Sequence, residues 1–160
     1  MDDAGWERRL ARLWASIDED SEQEFLAAME TLLAELPGGD PIAAFERASA
    51  LDSTGHPDRA VPLYREALDH GLAGQRRRRA TIQLASSLRN LGEAEESIKL
   101  LTAELYAASD DLDDAVRAFL ALALTSVGRD REAASLALSA LAPYLTRYNR
   151  SLAAYAQDLV

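Results

Sequence analysis

The sequence predicts an all-α fold, a short solenoid of stacked antiparallel helix pairs. Three observations lead there. Alanine and leucine supply most of the apolar content of a 160-residue chain that is 48% hydrophobic but only 6% aromatic, a balance that suits helices packed through small side chains. Three glycines, Gly55, Gly92 and Gly128, recur 37 and 36 residues apart. Around each of them the same side-chain types return at the same offsets.

Leucine stands four residues before each glycine, as Leu51, Leu88 and Leu124, and alanine seven before, as Ala48, Ala85 and Ala121. A small residue follows five later, as Ala60, Ser97 and Ala133, and leucine thirteen later, as Leu68, Leu105 and Leu141. Such agreement across three copies is the signature of a repeat. A glycine ends the first helix of each unit because a left-handed residue is cheap there only without a Cβ. The small residues let the two helices approach, and the leucines fill the volume between neighbouring pairs. No single pair buries both its faces, so the units must stack.

Helices are expected at about 5–17, 21–36, 41–54, 57–70, 75–91, 94–107, 112–127, 130–142 and 144–158. Ser21 with Glu24 forms a capping box. Asp40 precedes Pro41 as an N-cap before a proline in the first turn. The Pro37-Gly38-Gly39 break separates an N-terminal helix pair, residues 1–39, from the repeats at 40–142. The pair carries helical apolar spacing (Trp6, Leu10, Leu13, Ile17; then Phe25, Met29, Leu32, Leu36) but no anchor glycine, and is read as a cap. Residues 143–160 form a capping helix at the other end, with Tyr144, Tyr148, Leu152 and Tyr155 on one stripe. Pro62 sits about a turn inside its helix, where it should remove a hydrogen bond and kink the helix or delay its start.

The spacings around the glycines resemble the tetratricopeptide repeat over residues 41–142. Gly55…Ala60…Tyr64…Ala67-Leu68 matches the family's pattern best. Gly92…Ser97…Leu101…Glu104-Leu105 and Gly128…Ala133…Ala137…Ala140-Leu141 are looser, Arg47 replaces a usual leucine, and the period exceeds the family's usual 34 by two or three. The chain looks most like a small divergent bacterial subgroup. The resemblance implies a right-handed α-solenoid of three repeats with capping helices.

Charge and composition exclude several functions. The net charge is −10, with no cysteine, so disulfides and thiolate metal sites are ruled out. Residues 1–40 hold 11 acidic and 3 basic side chains, residues 41–105 hold 9 of each, and residues 106–160 hold 7 and 5. That balance argues against nucleic-acid binding, with a helix-turn-helix reading of the Arg76–Arg79 helix ranked last. No apolar run approaches the ~20 residues of a membrane span, and the acidic start, Met1-Asp2-Asp3, is unlike a secretory signal. A soluble cytoplasmic protein without a membrane partner is expected.

Arg76 to Arg79 is a run of cations at a helix start, against the helix dipole. Consecutive helical residues point about 100° apart, so the four cannot face one ligand. They are read as a solvated first turn, compensated by acids of the protein or of a partner. Asp110, Asp111, Asp113 and Asp114 read as capping acids of a helix start, with no calcium-loop spacing. His56 and His70 belong to no metal or catalytic constellation, and no phosphate loop is found. No catalytic site, metal or cofactor is expected.

In the family the partner groove is lined by the first helix of each pair. Carried over by offset from each glycine, its positions here include Phe45, Ser49 and Asp52, then Arg79, Ile82, Ser86, Arg89 and Asn90, then Leu122 and Thr125. The arginines and Asn90 suit a carboxylate or acidic peptide. The family's carboxylate clamp of lysine and asparagine is absent, because Phe45, Ser49 and Ala115 stand in its places. The resemblance thus implies a non-catalytic interaction scaffold that binds a protein or peptide segment. The alternative is a homo-oligomeric structural protein, a homodimer, with Trp6, Trp14, Tyr144, Tyr148 and Tyr155 at the contact. The acidic first 40 residues are also expected to shield the central groove.

Overall fold

The structure is a computed structural model that describes residues 3–107 and 109–160. The chain divides into two compact units, Met1–Arg76 and Arg77–Val160. The first contains helices α1 (Asp3–Ala15), α2 (Glu22–Leu33), α3 (Pro41–Ser53) and α4 (Pro57–Asp69). Helix α5 (Gly74–Asn90) begins at its end and belongs mainly to the second unit. There it is followed by α6 (Ala94–Leu105), α7 (Asp113–Thr125), α8 (Asp130–Leu141), a 3-10 turn (Ala142–Tyr144) and α9 (Asn149–Gln157). The fold class is all-α, built of paired antiparallel helices as expected.

The anchor glycines make three copies of one turn. Their φ angles are +88° at Gly55, +89° at Gly92 and +76° at Gly128. In each, the amide after the glycine donates to the leucine carbonyl five residues back: His56 to Leu51 at 2.9 Å, Glu93 to Leu88 at 2.8 Å and Arg129 to Leu124 at 3.0 Å. This is the six-to-one bond that satisfies a helix's last carbonyls. A fourth such turn ends α4, where Gly71 has φ +83° and Leu72 donates to Ala67 at 3.0 Å.

A Cβ added at Gly92 meets nothing within 4 Å, so its replacement carries a backbone cost alone. Gly92→Ala should destabilise the protein by about 1–2 kcal/mol, the left-handed penalty. Gly38→Ala, equally unobstructed and not left-handed, should leave the urea midpoint unchanged. Equal midpoints for the two variants would show that the turn does not require glycine.

The repeat positions pack as their chemistry demands. Ala48, Ala85 and Ala121 are buried, as are Leu51, Leu88 and Leu124, and Ala60, Ser97 and Ala133. Ser97 is completely buried with its hydroxyl unpartnered, so the site requires smallness rather than polarity. The core of the first unit gathers Trp6 and Leu10 of α1 with Phe25, Met29, Leu32 and Leu33 of α2 and Ala50 of α3. The core of the second joins Ile82 and Ala85 to Ile98, Leu101, Val116 and Leu120, among others.

Local start signals hold in the structure. Ser21 and Glu24 form the reciprocal capping box, and Asp40 accepts the Ile42 amide at 2.8 Å ahead of Pro41. Helix α4 starts at Pro57 and continues through Pro62. The expected delay of its start is therefore not found. Pro62 lies exposed, where the carbonyl left without its amide can turn to water.

The last element departs from expectation. One helix over 144–158 is replaced by the 3-10 turn, an extended Leu145 and a left-handed Tyr148 (φ +66°) that precedes α9. Tyr144 and Tyr148 therefore do not share a helical stripe with Leu152 and Tyr155. Pro143 begins a tight turn here, and the extended backbone at Leu145 ends the helical path.

Candidate interaction face

The four arginines separate into distinct environments, with carboxylates around Arg76, Arg77 and Arg78. In the first unit, Arg76 Nη2 donates to Glu7 at 2.7 Å and its Nε to Glu46 at 3.0 Å. Glu46 is 1% exposed and also accepts the Trp14 indole N–H at 3.0 Å. In the second unit, Arg77 Nη1 donates to both oxygens of Glu104 at 2.7 Å. Arg78 is buried, its Nε lying 3.3 Å from Glu104, while Nη1 reaches Asp110 and Nη2 reaches Asp113 at 2.7 Å. The solvated first turn expected here is thus corrected for Arg78. Exposed cations would suffer the helix dipole, whereas these are neutralised by acids from elsewhere in their own unit.

The aspartate cluster supplies two of those acids, Asp110 and Asp113, and also caps α7's approach. Asp110 accepts the Leu112 amide at 2.7 Å, and Asp113 accepts the Asp110 amide at 3.2 Å. The Ser109 hydroxyl, that amide and the Arg78 guanidinium together hold the Asp113 carboxyl down to about 2. Asp114 accepts from Arg117 at 2.8 Å and from the Tyr144 hydroxyl at 2.9 Å. The Asp114 carboxylate raises the Tyr144 phenol above its ordinary value by stabilising its proton.

The inferred groove positions divide by unit. On α3, Phe45 is 0% and Ser49 1% exposed. Phe45 stands 6.3 Å from the Tyr64 ring, and the Tyr64 hydroxyl approaches Asp52 at 3.4 Å. Phe45 and Ser49 are therefore core residues, and only half-buried Asp52 borders solvent. An aromatic at position 64 makes position 45 a packing partner rather than a ligand contact.

In the second unit the face is more open. Arg79, Ser86, Arg89 and Asn90 lie along one side of α5, with Ile82 on the same side but buried. Arg79 and Asn90 are exposed, Ser86 and Arg89 half-buried. The same side of α7 presents small Ala115 and Ala118, then Leu122, Thr125 and Ser126. Leu122 is an exposed large apolar residue. Thr125 and Ser126 donate to its carbonyl at 2.7 and 3.2 Å, which leaves their oxygens as acceptors. Arg89 Nη2 donates to Asn90 Oδ1 at 2.9 Å, leaving the Asn90 amide hydrogens for another acceptor. Arg89 Nε is buried with no hydrogen-bond partner.

The Tetratrico peptide repeat family model matches residues 41–159. The chain belongs to this family. Its general role is the protein–protein interaction typical of tetratricopeptide repeat proteins. Comparison with curated proteins finds no match. Among solved structures, a Podosopora anserina chain assigned as a kinesin light chain with nearly identical TPR-like repeats is 18% identical, with a TM-score of 0.71 over 99% of this chain and 89% of that one. A single-substitution form of that protein gives 18% and 0.70 over 96% and 85%. The MamA RS-1 ArsTM double mutant gives 17% and 0.67 over 96% and 89%. These are likenesses of fold.

Trp6 and Trp14, both on α1, face inward in the first unit. Trp6 is 3% exposed and donates to the Leu32 carbonyl at 3.2 Å. Trp14 is half-buried, tilted against Phe25 at 5.4 Å and tied to Glu46. Two indoles with internal acceptors make a poor contact face. Tyr144, Tyr148 and Tyr155 remain exposed. Among the described residues no His, Asp or Glu group is arranged to hold a metal, and no helix is long and apolar enough to cross a membrane. The carboxylates that answer the arginines, Glu46 and Glu104, went unnoticed in the sequence. Each stands about 30 residues from its arginine, and only its apolar helical neighbours hint at burial.

Proposed function

We propose that the second unit binds an acidic, extended peptide segment of a protein partner along the α5–α7 face. The observation that carries this reading is Arg89, whose Nε is a buried donor without an acceptor beside the free amide hydrogens of Asn90. A carboxylate of the ligand accepts from the exposed Asn90 amide, and from Arg89 once its half-buried side chain turns outward, a charge-assisted bond about twice as strong as a neutral one. Arg79, ten residues earlier on α5 and so about 15 Å along the helix, adds positive charge to the far end of an extended ligand, and Leu122 gives the ligand an apolar contact. The α3 positions take no part, being closed by Phe45 and Tyr64.

The test is the affinity of a fluorescent octapeptide rich in glutamate and aspartate, against its glutamine and asparagine counterpart. The full chain should prefer the acidic peptide, more strongly at low salt. Arg79→Glu with Arg89→Glu should weaken binding about tenfold or more while the melting curve stays in place. Equal affinity of wild type and double variant would remove the reading.

A further inference from the structure

We propose that the second unit is also a self-association surface, in which the exposed tyrosines of one copy's C-terminal segment seat in a groove between α6 and α8 of a second copy. This stands on different residues from the α5–α7 face and does not depend on it.

Apolar exposure is segregated. Among the described residues, the exposed large hydrophobics, including Tyr106, Leu141, Tyr144, Tyr148, Tyr155 and Val160, all lie in the second unit. Charge is segregated too. Residues 1–76 hold 16 acidic and 7 basic side chains, a net of −9, while residues 77–160 hold 11 and 10, a net of −1. Two copies meeting through their first units would bring like charge together. Meeting through their second units carries almost no such cost.

The second unit provides both halves of a contact. Its receiving half is a cavity of about 350 Å³ whose floor is Leu120 and Leu124 of α7 and whose walls include Ile98 and Leu105 of α6 and Leu136 of α8. Its charged lining residues are Arg129 and Glu132, and Glu95, one turn before Ile98 on α6, is close enough to act on Arg129. Arg129 itself is already held by Glu132 at 2.6 and 2.7 Å. The inserting half is residues 141–157, which contain Arg147 and Arg150 and no acidic residue. Both arginines are exposed, and neither makes an ion pair among the described residues. Apolar rings flanked by free cations thus face an apolar groove in which the lining cation, Arg129, is outnumbered by Glu132 and nearby Glu95.

The two halves adjoin, since Val160, just past α9, lines the groove. Contiguity lets a two-fold axis exchange the contact reciprocally, closing a dimer rather than a filament. Three tyrosines about 70% exposed bring roughly 300–500 Å² per copy, against about 800 Å² per partner in a standard interface. Leu141, Tyr106 and the groove walls supply the remainder, so the dimer is weak and concentration-dependent.

Sedimentation velocity of the full chain from about 5 to 200 µM should show monomer passing to dimer, a range set for a weak interface. Tyr148→Ser with Tyr155→Ser should raise the dissociation constant about tenfold or more, with an unchanged melting curve. Seating is read separately, because a chain without cysteine reports only cysteines placed in it. Ala154→Cys chains mixed with Ala103→Cys chains, tyrosines intact, should be joined to each other by a short bis-maleimide. A monomer throughout, or preferential joining of 154 to 154, overturns the proposal.

Discussion

Glu104→Ala should cost the second unit about 3 kcal/mol, the lower end of what breaking a buried ion pair costs. Glu104 is 2% exposed and accepts Arg77 through both oxygens, while Arg78 Nε lies 3.3 Å away. Removing the carboxylate frees Arg77, whose side chain is 45% exposed and can turn to water. Arg78 cannot do so, being buried. It keeps Asp110 and Asp113, which is why the loss stays at the lower end. Arg78→Met should cost less, because Glu104 retains Arg77 and the two aspartates are accessible to solvent. A surface comparison is Glu35→Ala, which releases an exposed pair with Arg9 and should leave the urea midpoint unchanged. The order of the three midpoints is the expected result. A Glu104→Ala midpoint equal to that of Glu35→Ala would mean that the arginine run is not anchored as described.

Tyr64→Ala should be of similar size, about 3–5 kcal/mol for a large aromatic removed from a packed interior. Tyr64 is completely buried beside Phe45, and its deletion leaves a void that Phe45 alone cannot fill. Tyr64→Phe retains the ring and loses a hydroxyl contact of 3.4 Å to Asp52, long for a hydrogen bond. It should cost under about 1 kcal/mol. Equal losses in urea denaturation for the two variants would place the stabilisation in the hydroxyl and not in the ring.

The repeat was legible because it rests on backbone geometry and volume. A left-handed turn selects glycine, close approach selects alanine, and the inter-helix space selects leucine, so Gly92, Ala85 and Leu88 speak for themselves. Position thirteen after the glycine shows where such reasoning weakens. Leu68 and Leu105 are half-buried, but Leu141 is exposed, since the third copy is followed by a turn and a short helix. The arginine run was only half legible. Its cost against the helix dipole called for acids, yet nothing local identifies Glu46 or Glu104, 30 and 27 residues from Arg76 and Arg77. The break at Leu145 and Tyr148 escaped because the apolar spacing continues through it.

The face on α5 and α7 was reached by offset alone, and the structure alters its membership. Phe45 and Ser49 leave it for the core, as does Ile82. What remains is a donor-rich strip of α5 around Arg89 and Asn90, with small residues and Leu122 at the equivalent positions of α7. Arg77 and Arg78, which look in sequence like the obvious anion site, are already paired with Glu104, Asp110 and Asp113.

Backbone amide chemical-shift mapping of the full chain, titrated with the acidic octapeptide, separates these two sets of arginines directly. Shifts gathered at Arg79, Ser86, Arg89, Asn90, Leu122 and Thr125, with Arg77 and Arg78 unmoved, are the predicted result. Shifts centred on Arg76 to Arg78 and their acids, with Arg89 and Asn90 unmoved, would contradict it.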